Sequence, residues 1–197
     1  RLGDMEELQV KGPTVMKGYW KRPDATAEVF TEDGWFKTGD QADLSDAGRI
    51  RIKGRIKEII VTSTGEKIPP TDMELAIQTD PLFEQVMVVG EARPFITALA
   101  VVNEAEWEKF AKEFNVDPTD ERMLMRRDIR MAALKRLKKA ASRFPQYGIP
   151  RNIRLLKEHW TVDNGCLTVT MKLRRPIIRE KLRAEIDELY TVPQNNV

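Results

Sequence analysis

A stretch of dense turn and charge residues from Asp33 to Lys67, DGWFKTGDQADLSDAGRIRIKGRIKEIIVTSTGEK, most constrains the fold of this chain. Its first part, DGWFKTGD, predicts a turn, a short aromatic strand and a second turn, so that the Asp40 carboxylate projects from the end of a strand. A carboxylate in that position can accept two hydrogen bonds from a vicinal diol, as acidic residues that hold a ribose do. The same aspartate is equally suited to capping its own turn, so these residues alone leave both roles open.

The second part of the stretch predicts a strand followed by a tight turn. Gly54–Val61, read GRIKEIIV, is interpreted as an apolar β-branched strand led by a flexible glycine and two cations. The TGEK that ends at Lys67 predicts a hairpin turn in which Gly65 adopts a positive φ and permits close approach of a ligand to the backbone. Hairpin turns use glycine for conformational reasons alone, so a structural and a binding role are compatible at Gly65.

The flanking segments predict an α+β chain that begins β-rich and then alternates strands and helices, with a domain boundary at Lys53–Gly54. Before the boundary we expect a strand at Leu8 and Val10, a β-rich segment Val15–Trp20, a helix to Phe30 capped by Asp24, a turn at Ser45–Gly48 and a strand Arg49–Lys53.

After the boundary the pattern predicts four helices that alternate with strands and turns. We expect a first helix from Pro70 to Thr79, with Asp72 and Glu74 near its positive end, and then strands Glu84–Gly90 and Phe95–Val102. A helix capped by Asn103 with Glu106 follows, and then the longest helix, from Asp117 to Phe144. The remaining elements are a strand Asn152–Leu156, a turn at Asp163–Gly165 and a closing helix Leu173–Tyr190.

Composition excludes several classes of function. The 33 basic and 31 acidic residues leave a net charge of +2, so no global field attracts nucleic acid or an acidic membrane. The single cysteine, Cys166, excludes an internal disulfide and suits a reducing cytosol. With only one histidine, His159, the chain offers no His/Cys cluster for zinc, so we interpret both residues as structural and expect no metal bound by this chain alone. The longest apolar run, Ile96–Val102, is far shorter than the ~20 residues of a membrane span. The amino terminus lacks an initiator methionine and a signal-peptide core, so we expect a part of a larger protein.

One face of the predicted longest helix is strongly basic. Its cations would suit a phosphate-bearing ligand, a membrane surface or nucleic acid, although a solvated helix face is the more common explanation of such a pattern. These residues are Arg126, Arg127, Arg130, Lys135, Arg136, Lys138 and Lys139. We assign no function to them.

Three motifs carry a resemblance to a known family. DGWFKTGD, GRIKEIIVTSTGEKIPP and NGCLTVTMKLRR occur in the order and spacing of the carboxy-terminal motifs of the adenylate-forming acyl-CoA synthetases, and a GYxxxPxATxxxF pattern precedes them. The chain resembles the long-chain fatty acid–CoA ligases within this superfamily, over nearly its entire length. The resemblance implies a small mixed α/β carboxy-terminal lid domain, 55–197, in which helices flank a short sheet. A β-rich remnant of the large amino-terminal domain, 1–54, precedes it.

The resemblance also implies roles for individual residues. Asp40 matches the aspartate that binds the ribose hydroxyls of ATP and of the acyl-adenylate, and Arg55 matches an arginine that contacts the ribose or the phosphates. Lys57 lies at the hinge about which the small domain rotates. Without the resemblance Arg55 would be an ordinary surface cation.

Two loops are expected to serve different steps. Gly65, followed by Glu66, lies in the turn that runs along the pantetheine of CoA after the rotation, and the extra residue before the glycine resembles the long-chain branch. Lys172 matches the lysine that reaches the substrate carboxylate and the α-phosphate during adenylation, where an ammonium stabilises developing negative charge. Spacing alone does not distinguish Lys172 from its basic neighbours, and Val169 stands where the family often has proline.

The function implied is activation of a fatty acid by ATP to an acyl-adenylate, followed by transfer to CoA. ATP, CoA and Mg²⁺ are implied, with the metal site in the absent large domain, and the fragment alone is expected to be inactive. The expected partners are the fatty acid, ATP, CoA and that large domain. A cytoplasmic location is expected, with peripheral contact at the inner face of a membrane as an open alternative. Other hypotheses are a ligase for aryl or short acids, a non-catalytic nucleotide- or CoA-binding module, and nucleic-acid binding, which is not expected.

Overall fold

The computed structural model describes residues 1–191 and shows two compact units, Arg1–Ile59 and the part that begins at Ile60. The first unit contains an antiparallel sheet in the order β1-β2-β3, formed by β1 (Glu7–Val10), β2 (Phe36–Asp43) and β3 (Arg51–Arg55). A short helix, α1 (Pro23–Val29), precedes β2, and a single 3₁₀ turn (Ile56–Glu58) follows β3. The strand expected at Leu8 and Val10 is therefore confirmed.

Several local expectations for the first unit are wrong. No strand forms at Val15–Trp20. Asp24 does not cap α1, because Pro23 already occupies the first helical position and Arg22 is the flanking residue. Asp40 lies inside β2 and not at its end, since Gly39 accommodates a φ of +73° without ending the strand.

The expected strand Gly54–Val61 is also wrong as a single element. Gly54 and Arg55 pair with β2, and the chain then turns, because the Ile59 N–H donates to the Ile56 carbonyl at 3.3 Å. The chain divides into its two compact units after Ile59. The domain boundary at Lys53–Gly54 stays a prediction.

The second unit contains a three-stranded mixed sheet and a two-stranded hairpin. Its elements are β4 (Ile60–Val61), β5 (Lys67–Ile68), α2 (Pro70–Ile77), β6 (Phe83–Val89), β7 (Thr97–Val102), α3 (Glu104–Glu113), α4 (Arg127–Ala140), β8 (Asn152–Leu156), α5 (Arg175–Lys181) and α6 (Arg183–Thr191). In the sheet, β6 pairs antiparallel with β7, and β7 pairs parallel with β8 across the crossover that contains α3 and α4.

Helices cover both faces of the β6-β7-β8 sheet, because its strands carry apolar residues at successive positions. Alternate residues such as Val88 and Ala100 pack against α2, α3 and α4, and the intervening Met87 and Leu99 pack against α5 and α6. All of β7 is buried. The predicted mixed α/β fold is confirmed, and it gives the second unit a core on each side of the sheet.

In the second unit the expected starts of α2 and α3 are confirmed, whereas two other expected helices are wrong in their bounds. Asn103 accepts a hydrogen bond from the Glu106 N–H at 3.2 Å, and Pro70 begins α2. The longest helix does not start at Asp117; its side chain caps a turn at Thr119, a 3₁₀ segment (Glu121–Met125) follows, and α4 begins afterwards. The closing helix is two helices, which separate at Leu182.

Among residues 1–191, no helix has the length and apolar character needed to cross a bilayer.

Candidate functional site

Asp40 and Arg55 face each other across the β2–β3 pair. The two residues are register partners, and the Arg55 Nη1 lies 3.4 Å from the Asp40 Oδ1. The Asp40 side chain is 29% exposed and that of Arg55 is 52% exposed, so both groups remain accessible to a ligand. The strand fixes their backbones: the Thr38 hydroxyl donates to the Leu8 carbonyl at 2.7 Å and accepts from the Asp40 N–H at 3.1 Å.

The turn that leads into β2 is stabilised by charge. Arg1 donates to both carboxylate oxygens of Asp33, and the Thr31 hydroxyl donates to one of them at 2.7 Å. The hydrogen bonds from Arg1 and then Thr31 lower the pKa of Asp33 to about 2. Asp33 is therefore committed to the turn, whereas Asp40 is the carboxylate presented by the strand.

Lys57 is exposed and occupies the 3₁₀ turn that closes the first unit. This places it where the chain passes from one unit to the next. Its role as a hinge stays a prediction, since a hinge is defined by movement and not by a contact.

Gly65 lies at the tip of the β4–β5 hairpin, as the sequence predicts. The strands pair Ile60 with Ile68 and Val61 with Lys67, and Gly65 has a φ of +84°. A Cβ atom added at Gly65 would meet no atom within 4 Å. The positive φ thus favours glycine at this position, and the space above the turn is open.

Lys172 closes an exposed loop, Thr168–Lys172, whose ends are joined by the bridge between Leu167 and Leu173. Leu167 is buried beneath the loop, whereas Val169 is 86% exposed. The Lys172 side chain is exposed to solvent. The loop therefore presents an ammonium at the surface of the second unit.

The Gly65 and Lys172 loops have the same internal hydrogen bonds, although their sequences, TSTGE and TVTMK, differ. In each loop the first threonine N–H donates to the carbonyl of the fifth residue, at 3.1 Å from Thr62 and 2.9 Å from Thr168. The hydroxyl of that threonine accepts from the N–H of the fifth residue, at 3.1 Å in both loops. The fourth residue is left-handed: Met171, at a φ of +61°, matches Gly65. The repeated TxTxx pattern was a signal for this likeness that sequence reasoning missed.

Sequence reasoning also missed a buried ion pair between Glu74 and Arg175. The Arg175 Nη1 and Nη2 donate to the two carboxylate oxygens of Glu74 at 2.6 and 2.7 Å, and the Val88 N–H donates to Glu74 Oε1 at 2.8 Å. The sequence placed Glu74 near the positive end of α2, and the fold buries its carboxylate against Arg175. A glutamate on the inward face of a helix was the available signal.

The basic helix does not present one continuous cationic face. Arg136 binds Asp80 through two hydrogen bonds of 2.5 and 2.9 Å, and Arg130 donates to Asn152 at 2.8 Å. Burial raises the pKa of Asp80, but the hydrogen bonds from Arg136 and the Leu82 N–H outweigh it and lower that pKa below its usual value. These contacts fasten α4 to the domain and weaken the case for nucleic-acid binding.

Residues 1–191 contain no cluster of three His, Cys, Asp or Glu side chains that could hold a metal ion. Cys166 is buried in the core, and His159 lies 3.2 Å from Glu84.

The second unit is a mixed α/β domain with two exposed loops of like conformation, and a strand that presents Asp40 precedes it in the chain. The family model described as AMP-binding enzyme C-terminal domain matches residues 57–193. The chain belongs to this family.

Two relatives of this chain are named as ligases of long-chain fatty acids. The chain is 37% identical over 198 residues to the long-chain-fatty-acid–CoA ligase FadD15 of Mycobacterium tuberculosis, covering 96% of this chain and 32% of that protein. It is 33% identical to the long-chain-fatty-acid–[acyl-carrier-protein] ligase AEE15 of Arabidopsis thaliana, with 93% and 25% covered. The chain thus spans about a third or less of the length of these relatives.

Solved structures give the same fold. The A-PCP didomain of a carboxylic acid reductase from Segniliparus rugosus, in complex with AMP, superimposes with a TM-score of 0.77 at 28% identity. The match covers 94% of this chain and 24% of that one. The predicted resemblance to adenylate-forming enzymes is confirmed.

Proposed function

We propose that this chain is the carboxy-terminal part of an AMP-forming long-chain fatty acid–CoA ligase, in which a large adenylation domain precedes it. We call that polypeptide the complete enzyme. The observation that carries the proposal is the pair of exposed loops, one with Gly65 and one with Lys172, on a domain of the AMP-binding family. The ligase names of the relatives supply the substrate class.

Two chemical steps follow from this assignment. In the first, the fatty acid carboxylate attacks the α-phosphorus of ATP, and pyrophosphate leaves. In the second, the thiol of CoA attacks the acyl carbonyl, loses its proton, and AMP leaves. Asp40 would accept hydrogen bonds from the ribose hydroxyls in both steps, and Arg55 would contact the ribose or the phosphates.

The two loops would act in different steps. The Lys172 ammonium would stabilise the charge that builds on the phosphoryl oxygens during adenylation. The Gly65 turn, with Glu66, would lie along the pantetheine during thioester formation, and rotation about Lys57 would exchange the loops. In this scheme the first unit is the end of the adenylation domain and the second is the lid. A Mg²⁺ ion would be held by the adenylation domain.

A second candidate acceptor is the phosphopantetheine thiol of an acyl carrier protein. The Arabidopsis relative, whose name specifies that acceptor, favours it. The chemistry of the second step is the same for both thiols, so the Gly65 turn would suit either. A cytoplasmic location belongs to the proposal, with peripheral contact at the inner face of a membrane as the alternative.

Thioester formation by the complete enzyme tests this function. With ATP and CoA, we expect acyl-CoA and AMP to form from fatty acids of long chain in preference to short or aryl acids. The 197-residue chain alone should fold but form neither acyl-adenylate nor acyl-CoA, because Lys172 acts only where a large domain holds ATP and the acid. Turnover by the chain alone, or preference for aryl or short acids, would contradict the proposal.

Replacement of Gly65 by alanine should separate conformational strain from a role in thioester formation. A side chain at this φ costs about 1–2 kcal/mol, and no atom within 4 Å adds to that cost. In the complete enzyme the transfer of preformed acyl-adenylate to CoA should fall about tenfold or more, equivalent to about 1.4 kcal/mol or more of barrier, while adenylation is maintained.

Gly48→Ala is the matched control for Gly65→Ala. Gly48 has the same φ of +84°, and a Cβ there also meets no atom within 4 Å. The two variants should lose similar stability in thermal unfolding, and only Gly65→Ala should slow thioester formation. Equal kinetic effects of the two variants would show that strain alone is responsible.

A further inference from the structure

The buried Glu74 carboxylate holds together elements from both faces of the central sheet. Glu74 lies on α2, is 5% exposed, and accepts hydrogen bonds from Arg175 and from the N–H of Val88. Strand β6, which contains Val88, is an edge strand of the β6-β7-β8 sheet. Arg175 begins α5, whose Ile178 packs on the opposite face of that sheet from α2. The ion pair thus connects α2 and α5, which lie on opposite faces of the sheet, at the edge formed by β6.

This pair also connects the bases of the two exposed loops. Arg175 follows Lys172 by three residues, and α2 begins two residues after the hairpin strand that follows Gly65. Helix α2 has anchors of its own, since Met73 and Ile77 are fully buried in the core. The Lys172 loop has fewer, because its backbone hydrogen bonds from Thr168, Met171 and Lys172 close within the loop.

The orientation of the Lys172 loop is therefore set at its two ends. The entry is held by buried Leu167, and the exit is held by the Arg174 N–H, which donates to the Cys166 carbonyl at 2.8 Å, and by Arg175. A bidentate arginine–carboxylate pair in a desolvated position restricts rotation of the arginine, because two parallel hydrogen bonds fix the plane of the guanidinium.

We propose that the Glu74–Arg175 pair is a positioning contact that holds Lys172 in place for adenylation. The inference rests on the proposed function and deepens it. Neither residue touches substrate: Arg175 fixes the exit of the loop, and Glu74 fixes Arg175 to α2 and β6. Loss of the pair leaves Gly65 supported by α2 but releases the segment that carries Lys172.

The test uses a variant of the complete enzyme that removes both charges, Glu74→Gln with Arg175→Met. Removal of one partner alone would leave an unpaired buried charge and endanger folding, whereas the double change keeps the site neutral and similar in volume. We expect acyl-adenylate formation to slow roughly 10- to 100-fold, since a displacement of about 1 Å can cost about 100-fold. Conversion of preformed acyl-adenylate to the thioester should change by less than about twofold, because the Gly65 turn is undisturbed.

A matched control removes a second bidentate pair of the same domain, Asp80→Asn with Arg136→Met. This pair fastens α4 and does not adjoin either loop. It should leave both half-reactions at their original rates. Arg175→Lys, which retains the charge and one of the hydrogen bonds, should give an adenylation rate between those of the double variant and the original enzyme.

A further arm measures whether the pair acts through Lys172. In an enzyme that already carries Lys172→Ala, the Glu74→Gln/Arg175→Met change should slow adenylation no further, because the displaced group is absent. An independent and additive loss there, or equal losses in both half-reactions, would overturn the proposal. If Lys172→Ala itself has no selective effect on adenylation, the proposed function fails first.

Limited proteolysis gives a readout on the 197-residue chain that does not depend on activity. Trypsin cleavage after Lys172 should become about tenfold faster in the Glu74→Gln/Arg175→Met variant than in the original chain, because cleavage follows the population of the opened loop. The Asp80→Asn/Arg136→Met variant should be cleaved there at the original rate. Unchanged cleavage in the first variant would show that the ion pair does not hold the loop.

Discussion

Acyl-adenylate formation should fall about 100- to 1,000-fold when Lys172 of the complete enzyme is replaced by alanine, while preformed acyl-adenylate is still converted to thioester. The size of the loss is that of removing one preorganised donor from developing negative charge, about 2.7–4 kcal/mol. The selectivity follows from the proposed exchange of loops, because Lys172 would serve only the first step. Release of pyrophosphate measures that step, and acyl-CoA made from synthetic acyl-adenylate measures the second.

Lys135→Ala controls for the loss of one positive charge. Lys135 is also an exposed lysine of the second unit, on α4. This variant should retain both half-reactions. Because Lys172 is exposed and its loop is closed by backbone hydrogen bonds, Lys172→Ala should also unfold at nearly the original temperature. Equal damage to both half-reactions by Lys172→Ala would remove the assigned role.

Replacement of Asp40 by alanine should weaken binding of ATP and of acyl-adenylate by about 1.5–3 kcal/mol, the range for hydrogen bonds that involve a charged group. This corresponds to roughly a 10- to 150-fold rise in the dissociation constant. Both half-reactions should be affected, since the ribose is present in each. Calorimetric titration of the complete enzyme with ATP, or with a stable adenylate analogue, measures the change.

The position of Asp40 in a strand makes the alternative role testable. Its ion pair with Arg55, at 3.4 Å and open to solvent on the arginine side, is of a kind that contributes only about 0–1 kcal/mol to stability. Asp46→Ala, which removes a carboxylate from an exposed turn of the same unit, should leave ATP affinity unchanged. A loss of stability in Asp40→Ala with unchanged ATP affinity would show that Asp40 is only structural.

Local interactions account for what the sequence by itself determined. The hairpin at Gly65 follows from a glycine that can adopt a positive φ, and the start of α2 follows from Pro70 at the first helical position. Asn103 caps α3 through the next few residues of the chain. Strand Asn152–Leu156 has the predicted bounds, because its alternation of buried and less buried residues is intrinsic to a strand. The motifs that contain Asp40 and Lys172 indicated the family because each motif is a contiguous run of residues that can be recognised in the sequence.

Only the tertiary structure decided features that depend on residues distant in the chain. The closing helix divides at Leu182, so that Ile178 on α5 and Ile186 on α6 both reach the same face of the sheet. Glu74 and Arg175 are 101 positions apart, so no local pattern distinguishes this buried pair from an exposed helix charge and one more arginine in a basic segment. Burial of a charge becomes tolerable only when the fold delivers its partner, and that delivery is a property of the packed domain.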